Sequence, residues 1–405
     1  MTGRARRVVL VHYTTPAILG GVEQVMGYHA AGLRDAGAQV TIVAGRGGAP
    51  RGVAVARVRD ADSRAPAVER DREALLRGAR TPEHDRLVAR LLTSLRPIVK
   101  RADRVVVHNA MTMPMNLALT EALARLAPEF PGRFIAWTHD IARFDARYDA
   151  YRHPGEPWSL VEQALPGFRY VTVSAERATQ LAELTGLSRA RISVVTNGID
   201  VPTALGLAVE SRGILRRLHL EDADPLLLLP ARVTPRKRIE AAIDATAALR
   251  ARGHRAMLVV TGGVGPHDAR NRAYLADLEA RAKKVDGVHL LAALGITIDY
   301  HAVVDLYGLA DVLVLPSTHE GFGLPILEAG LHRLPIVCSD IPALREIAGD
   351  EPVYVPPDAD GELIARSVER ALDTPVARLA RHAKTLAWPR VLRDRVIPVI
   401  LEDAA

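Results

Sequence analysis

Twelve short apolar runs, each four to six residues long, recur along this chain, and stretches with helical spacing separate most of them. The first, Val8 to Tyr13, passes through Gly20-Gly21 into a helix-like stretch, Val22 to Ala36, and then into a second run, Val40 to Ala44. That order predicts a βαβ unit with a glycine turn at its first crossing. Runs at Arg104–His108, Phe134–Trp137, Tyr170–Ser174 and Ile192–Val195 follow, each closed by polar or turn residues. Strands covered on both faces read as nearly continuous apolar runs, so the expected sheet is parallel.

After Asn197-Gly198-Ile199-Asp200 the pattern lapses through Pro202, Gly206 and Gly213, and an interdomain linker is expected there. It resumes with six runs at Leu226–Leu229, Met257–Thr261, Val288–Leu291, Val312–Leu315, Pro335–Ser339 and Pro352–Val355. A chain of 405 residues is too long for one ordinary core. The expectation is therefore an α/β protein of two Rossmann-like domains, residues 1–201 and 202–384, facing each other across a cleft. The end of the chain, from about 385 to 405 and including Trp388-Pro389-Arg390-Val391, predicts a terminal helix beyond the second sheet that completes the N-terminal domain.

Composition narrows the class. The one cysteine, Cys338, excludes an intrachain disulfide and a cysteine-based zinc site, and its place in Pro335-Ile336-Val337-Cys338 reads as inert core. The first apolar segment is too short for a secretion signal, and no apolar stretch approaches the roughly 20 residues of a membrane span. A cytoplasmic address is expected. A net charge of +6 could suggest nucleic acid, but Lys and Arg are scattered without interleaved aromatic residues, so no nucleic-acid partner is expected. Segment 51–104 carries 14 Lys and Arg against 8 Asp and Glu. A solvated helical face is the blander reading, and docking to an anionic membrane surface or acceptor is the sharper one.

The most informative stretch is Pro316-Ser317-Thr318-His319-Glu320-Gly321-Phe322-Gly323-Leu324-Pro325-Ile326-Leu327-Glu328-Ala329, which follows a strand. Gly321 and Gly323 let backbone N–H groups approach a ligand, Pro325 suits a first helical turn, and the helix start offers unpaired donors to phosphate or sugar oxygens. Glu320 and Glu328 bracket the loop and can accept hydrogen bonds from hydroxyls. Arg232 and Lys237 follow the second domain's first strand, a place from which two cations can clamp a diphosphate. Lys237 is one of five lysines against 48 arginines. In the N-terminal half, Gly20-Gly21 opens a helix, and His139 follows the strand that ends Trp137-Thr138; as a lone histidine it reads first as structural.

These residues, in this order along nearly the whole chain, resemble the retaining glycosyltransferases of family 4, which have the GT-B fold. The resemblance implies that Arg232 and Lys237 bind the donor diphosphate, Glu328 the ribose hydroxyls, and Glu320 with the backbone of Gly321, Phe322, Gly323 and Leu324 the transferred sugar. His139 would touch that sugar from the opposite domain, and Gly20, Gly21 and Gly262 would join the donor site. His139, Arg232, Lys237 and Glu320 are thus the residues expected to carry the transfer. The family closes its domains over a nucleotide-sugar, usually needs no metal, and transfers with retention and without a protein nucleophile. The segment Asp340-Ile341-Pro342-Ala343-Leu344-Arg345-Glu346 lacks the paired glycines of many relatives, which tilts the expected donor toward mannose-type GDP- or UDP-sugars. The acceptor, whether a small molecule, a glycan or a lipid-linked sugar, has no readable motif.

Rival readings find less support. Asp-Ala-Asp at 60–62, 222–224 and 358–360 would suit a metal-dependent transferase of another fold, but none directly follows a strong strand, and all three read as solvated loops. A dinucleotide fingerprint needs G-x-G-x-x-G; Gly262-Gly263-Val264-Gly265 lacks the third glycine, since His267-Asp268 stand there. A sugar-nucleotide epimerase of similar fold, or a non-catalytic nucleotide-sugar-binding protein, remains as the alternative class.

Overall fold

In the computed structural model, which describes residues 4–265 and 270–402, the apolar runs become thirteen strands of three to six residues. Seven form the first sheet: β1 Arg7–Val11, β2 Gln39–Ala44, β3 Ala54–Arg57, β4 Arg104–His108, β5 Phe134–Thr138, β6 Phe168–Thr172 and β7 Ile192–Val194. Their order is β3-β2-β1-β4-β5-β6-β7, and every pairing is parallel. The other six are β8 Leu226–Leu229, β9 Met257–Val260, β10 Val288–Leu290, β11 Val312–Leu315, β12 Ile336–Ser339 and β13 Val353–Val355, in the parallel order β10-β9-β8-β11-β12-β13. Both are Rossmann-like sheets. In each, the sequence order reverses beside the first strand, at β1/β4 and at β8/β11.

Period-two alternation sends successive residues of a strand to opposite faces. In the first sheet Val9, Val11, Val105 and Val107 face the helices Pro82–Arg101 and Leu117–Leu126, while Val8, Leu10, Val106 and Trp137 face the helix Gly21–Asp35. In the second, Leu227, Leu229, Val312 and Val314 lie under Ile239–Ala251 and Gly361–Leu372, and Leu226, Leu228, Leu313 and Cys338 lie under the opposite layer. Cys338 is fully buried, and burial pushes its thiol up to about 12, so it is unreactive core.

The chain divides into two compact units, Met1–Gly198 with Trp388–Ala405, and Ile199–Ala387. The terminal helical run, Trp388–Val391, Leu392–Val396 and Ile397–Leu401, packs on the first sheet through buried Trp388, Val391, Val396 and Ile400. Trp388 stacks on Tyr28 with ring centroids 4.6 Å apart. Gly198 lies under the same indole, where a Cβ would come within 2.5 Å of it, so the unit boundary is shaped to this one side chain. Residues 403–405 of the expected terminal helix, and His267 and Asp268, lie outside the described residues.

Three expectations change. The stretch read as a linker is helical, Val201–Ala204 and Val209–Arg217, because Leu207, Leu215, Leu218 and Leu220 bury themselves in the second unit's core. Strand β3 had no apolar signal, since this edge strand, Ala-Val-Ala-Arg, is only half covered. Nor are the Asp-Ala-Asp segments all solvated: Asp62 is buried and accepts from Arg46 Nε at 2.9 Å, and Asp224 accepts from Arg381 Nε at 2.8 Å. In segment 51–104, Arg72, Arg80, Arg86, Arg90 and Arg96 pair with carboxylates, Arg80 and Arg96 with Glu121 and Glu129 outside the segment.

One buried network locks three helices of the first unit. His84, fully enclosed, donates from Nδ1 to Asp71 Oδ2 at 2.8 Å and from Nε2 to Glu121 Oε2 at 2.9 Å. Arg80 adds two bonds to Glu121 at 2.9 and 3.0 Å. Burial alone would lower His84, but Asp71 and Glu121 outweigh it and raise it to about 9. The imidazolium therefore stabilises the fold fully below the ordinary histidine pKa near 6.5, and that contribution fades as pH rises through about 9. His84→Gln should cost about 3–5 kcal/mol at pH 6, as removal of one member of a buried ionic set does. Thermal unfolding from pH 6 to 10 checks this: the wild type should lose stability across that window more steeply than the variant, and parallel curves would refute the charged triad.

Candidate active site

Because β8 and β11 are neighbours in a parallel sheet, the loops that leave their carboxyl ends are neighbours too. Thr318 N–H donates to the Arg236 carbonyl at 2.9 Å, and Arg236 Nη1 donates to the His319 carbonyl at 2.8 Å and to Glu320 Oε2 at 3.2 Å. Lys237, in the short turn Pro235–Lys237, donates from Nζ to Glu320 Oε1 at 2.5 Å. Lys237 and Glu320 are only 7% and 9% exposed. Burial by itself would push the Glu320 carboxyl up, but the Lys237 hydrogen bond and the charges of Lys237 and Arg236 hold it below the usual range. The carboxyl stays ionised and keeps lone pairs for further donors.

Arg232 behaves differently. It is exposed, and its guanidinium makes no hydrogen bond or ion pair among the described residues. The two cations expected to act together are thus one inward, committed charge and one outward, uncommitted charge.

The glycines of these loops serve distinct ends. Gly323 has φ of +95° and precedes the helix Leu324–Leu331, which no side chain caps; Pro325 has no N–H and Ile326 N–H donates to the Gly323 carbonyl at 2.9 Å, so the Leu324 N–H is left for a ligand or water. Gly321 is exposed with open space where a Cβ would stand, and Phe322 and Leu324 are also exposed. Gly262, in contrast, is required by packing: its Cβ would fall 2.2 Å from the Ala231 carbonyl oxygen, where the loops after β8 and β9 pair through Val233 and Val264. Glu328 is half-buried, with Oε1 accepting from Tyr300 and Oε2 from Tyr307, both at 2.6 Å. The phenols fix the carboxylate and leave each oxygen one further acceptor site.

In the first unit the carboxyl ends of β1, β4 and β5 bring together His12, His108 and His139. Gly20 is extended at the start of the helix Gly21–Asp35, and Gly21 has open space around it. Glu23, one turn on, accepts from Thr14 Oγ1 at 2.5 Å and lies 3.5 Å from His12 Nε2. Burial would raise Glu23, but His12 and Thr14 bring it down to about 2. His139 is buried; burial first and then His12 lower it to about 4, so its imidazole is neutral. Its backbone N–H donates to Asn109 Oδ1 at 3.0 Å, as does that of Asp140 at 2.9 Å.

Sequence reading missed the partners. Arg236 stood in the same basic run as Lys237 and was passed over; Tyr300 and Tyr307 lie far from Glu328 in sequence and gave no signal. His108 ends a strand as His139 follows one, and that parallel was available in the sequence.

Comparison with known proteins now bears on these two half-sites. Residues 19–202 match the Glycosyltransferase Family 4 model, and residues 212–386 match the Glycosyl transferases group 1 model. The D-inositol 3-phosphate glycosyltransferase of Thermomonospora curvata is 31% identical over 280 residues, 64% of this chain and 62% of that protein. An uncharacterized glycosyltransferase of Methanocaldococcus jannaschii is 30% identical over 206 residues, 50% of each chain. The chain thus spans between 50% and 62% of the length of these relatives. Among solved structures, sucrose-phosphate synthase from Thermosynechococcus elongatus aligns over 96% of each chain at 17% identity, with a TM-score of 0.39. With one family model on each of its two Rossmann-like units, the chain belongs to the group 1 and family 4 glycosyltransferases of GT-B fold.

Proposed function

We propose that the chain moves a hexose from a nucleoside-diphosphate sugar to an acceptor hydroxyl with retention at the anomeric carbon. GDP- or UDP-sugars are the donors, mannose-type ones favoured. The observation that carries this reading is the buried Lys237–Glu320 pair in the loop that leads into an uncapped helix N-terminus. A cation and the Leu324 N–H at the positive end of a helix favour a polyanion there, and the carboxylate beside them suits sugar hydroxyls.

In this reading the bond from the anomeric carbon to the diphosphate oxygen breaks, and the negative charge that develops is met by Lys237, Arg232 and the helix N-terminus. The acceptor oxygen bonds to the same face of that carbon, and its proton passes to a departing diphosphate oxygen. Glu320 holds the sugar, Glu328 the ribose, and His139 belongs with the sugar-facing residues. The inositol phosphate enzymes among the relatives place phosphorylated polyols first in an acceptor screen.

Lys237→Ala should slow transfer by about 2.7–4 kcal/mol of barrier, as loss of a preorganised charge stabiliser does. A folded variant that transfers sugar at the wild-type rate would remove Lys237 from this role.

No bound metal is part of the proposal, and among the described residues no group of three or more His, Cys, Asp or Glu is placed to hold one. Transfer should persist in excess EDTA; activity abolished by EDTA and restored by magnesium or manganese would contradict it.

The two glutamates separate by titration. Charge-assisted hydrogen bonds are worth about 1.5–3 kcal/mol each, so Glu328→Gln should weaken binding of the free nucleoside diphosphate measured by calorimetry. Glu320→Gln should impair transfer while leaving that affinity nearly unchanged. Equal losses in both variants would mean that ribose and sugar lie at the wrong ends of the Gly-Phe-Gly loop.

A further inference from the structure

Resting on the reading of His139 as a sugar-facing residue, one contact behind it has a chemical consequence. His108 Nδ1 lies 3.2 Å from His139 Nε2, and both rings are buried. Burial holds both imidazoles neutral, with His29 and His139 adding to the effect on His108. Two neutral imidazoles share one proton between the facing nitrogens, so the tautomer of one dictates that of the other. If His108 donates, His139 carries its proton on Nδ1; if His139 donates, its Nδ1 is a bare base.

The far side of His108 decides between these. Among the described residues of the first unit, three ring nitrogens are buried without a hydrogen-bond partner: His108 Nε2, His29 Nδ1 and Trp137 Nε1. Their rings form one cluster, with centroids 5.3 Å apart for His29 and His108, 4.6 Å for His29 and Trp137, and 6.0 Å for His108 and Trp137. The indole can only donate. Protonating His108 Nε2 would place a second unpaired N–H in a cluster already holding one, and buried orphan N–H groups are the rarer defect. The arrangement with fewest unpaired donors leaves His108 Nε2 bare and puts its proton on Nδ1.

We propose that His108 is a positioning residue that donates from Nδ1 to His139 Nε2 and so holds His139 as the Nδ1–H tautomer, presenting an N–H donor to the transferred sugar. His139 Nδ1 has no hydrogen-bond partner among the described residues, so the donor is uncommitted. Asn109, at φ of +62°, clamps the His139 and Asp140 backbone amides and fixes where the ring stands, while His108 fixes what its outer nitrogen carries. A donor cannot take a proton from the acceptor, which accords with the leaving diphosphate receiving it.

The test is a long-range proton–nitrogen correlation spectrum of the full chain labelled with 15N-histidine, the His139 signal being assigned by its loss in His139→Gln. The wild type should show His139 protonated at Nδ1. In His108→Leu the His139 pattern should shift toward Nε2 protonation, and kcat should fall by at least about 10-fold with little change in the donor KM, the scale of lost orienting partners. His108→Asn, whose amide can donate from nearly the same place, should restore most of both. An Nε2–H tautomer in the wild type, or an unchanged His139 tautomer in His108→Leu, overturns the proposal. Because the wild-type spectrum needs no turnover, the expected tautomer in a protein that transfers no sugar would refute the transferase reading and leave the pairing standing.

Discussion

Both units depend on one topological constraint, the reversal of strand order beside the first strand of a parallel sheet. Right-handed crossovers send the chain to one side of the sheet before the reversal and to the other side after it. The loops at the carboxyl ends of the two central strands then diverge and leave a crevice between them, where open α/β sheets bind ligands. At β1/β4 this places His12 beside His108, with His12 Nδ1 2.9 Å from the His108 carbonyl oxygen. At β8/β11 it places Lys237 beside Glu320, residues that are 83 positions apart in sequence. Neither juxtaposition is local, and both follow once the strand order is set.

The two crevices use opposite electrostatics. In the second unit an ion pair lies in a site nearly closed to water, where each charge would be costly without the other. Arg236 joins the pair from the rim, so the carboxylate faces two cations and the set carries a net positive charge. The Lys237 cation is already fixed by a buried partner, so little has to be reorganised for it to meet an anion. In the first unit burial has the reverse effect: His29, His108 and His139 are all lowered and lose their charge, and recognition passes from Coulomb attraction to the direction of single N–H bonds.

How much of this was legible depended on the range of each interaction. Strand positions were readable because burial on both faces writes itself into consecutive residues, as in Leu226–Leu229; the half-covered edge strand β3 left no such mark. The stretch after Asp200 looked like a linker because Pro202, Gly206 and Gly213 are poor helix interiors, yet four leucines supplied enough burial to override them. At the site, the residue types around Gly-Phe-Gly pointed to phosphate and sugar, but the partners of those residues did not. Glu328 is held by Tyr300 and Tyr307, which come from another helix, and no periodicity connects them.

Gly262 shows why motif glycines resist a single interpretation. A glycine in a loop that follows a strand reads naturally as room for a ligand, and Gly21 and Gly321 do have open space where a side chain would be. At Gly262 that space is filled by the backbone of Ala231 and Arg232, so the missing side chain lets two loops of the protein approach each other. Arg232 begins at this contact. Its backbone nitrogen would lie 2.5 Å from a Cβ at 262, so any residue larger than glycine there must displace the segment that carries the outward guanidinium. Gly262 therefore acts through the loop it allows to pack, and whatever it contributes to a ligand is transmitted by the position of Arg232.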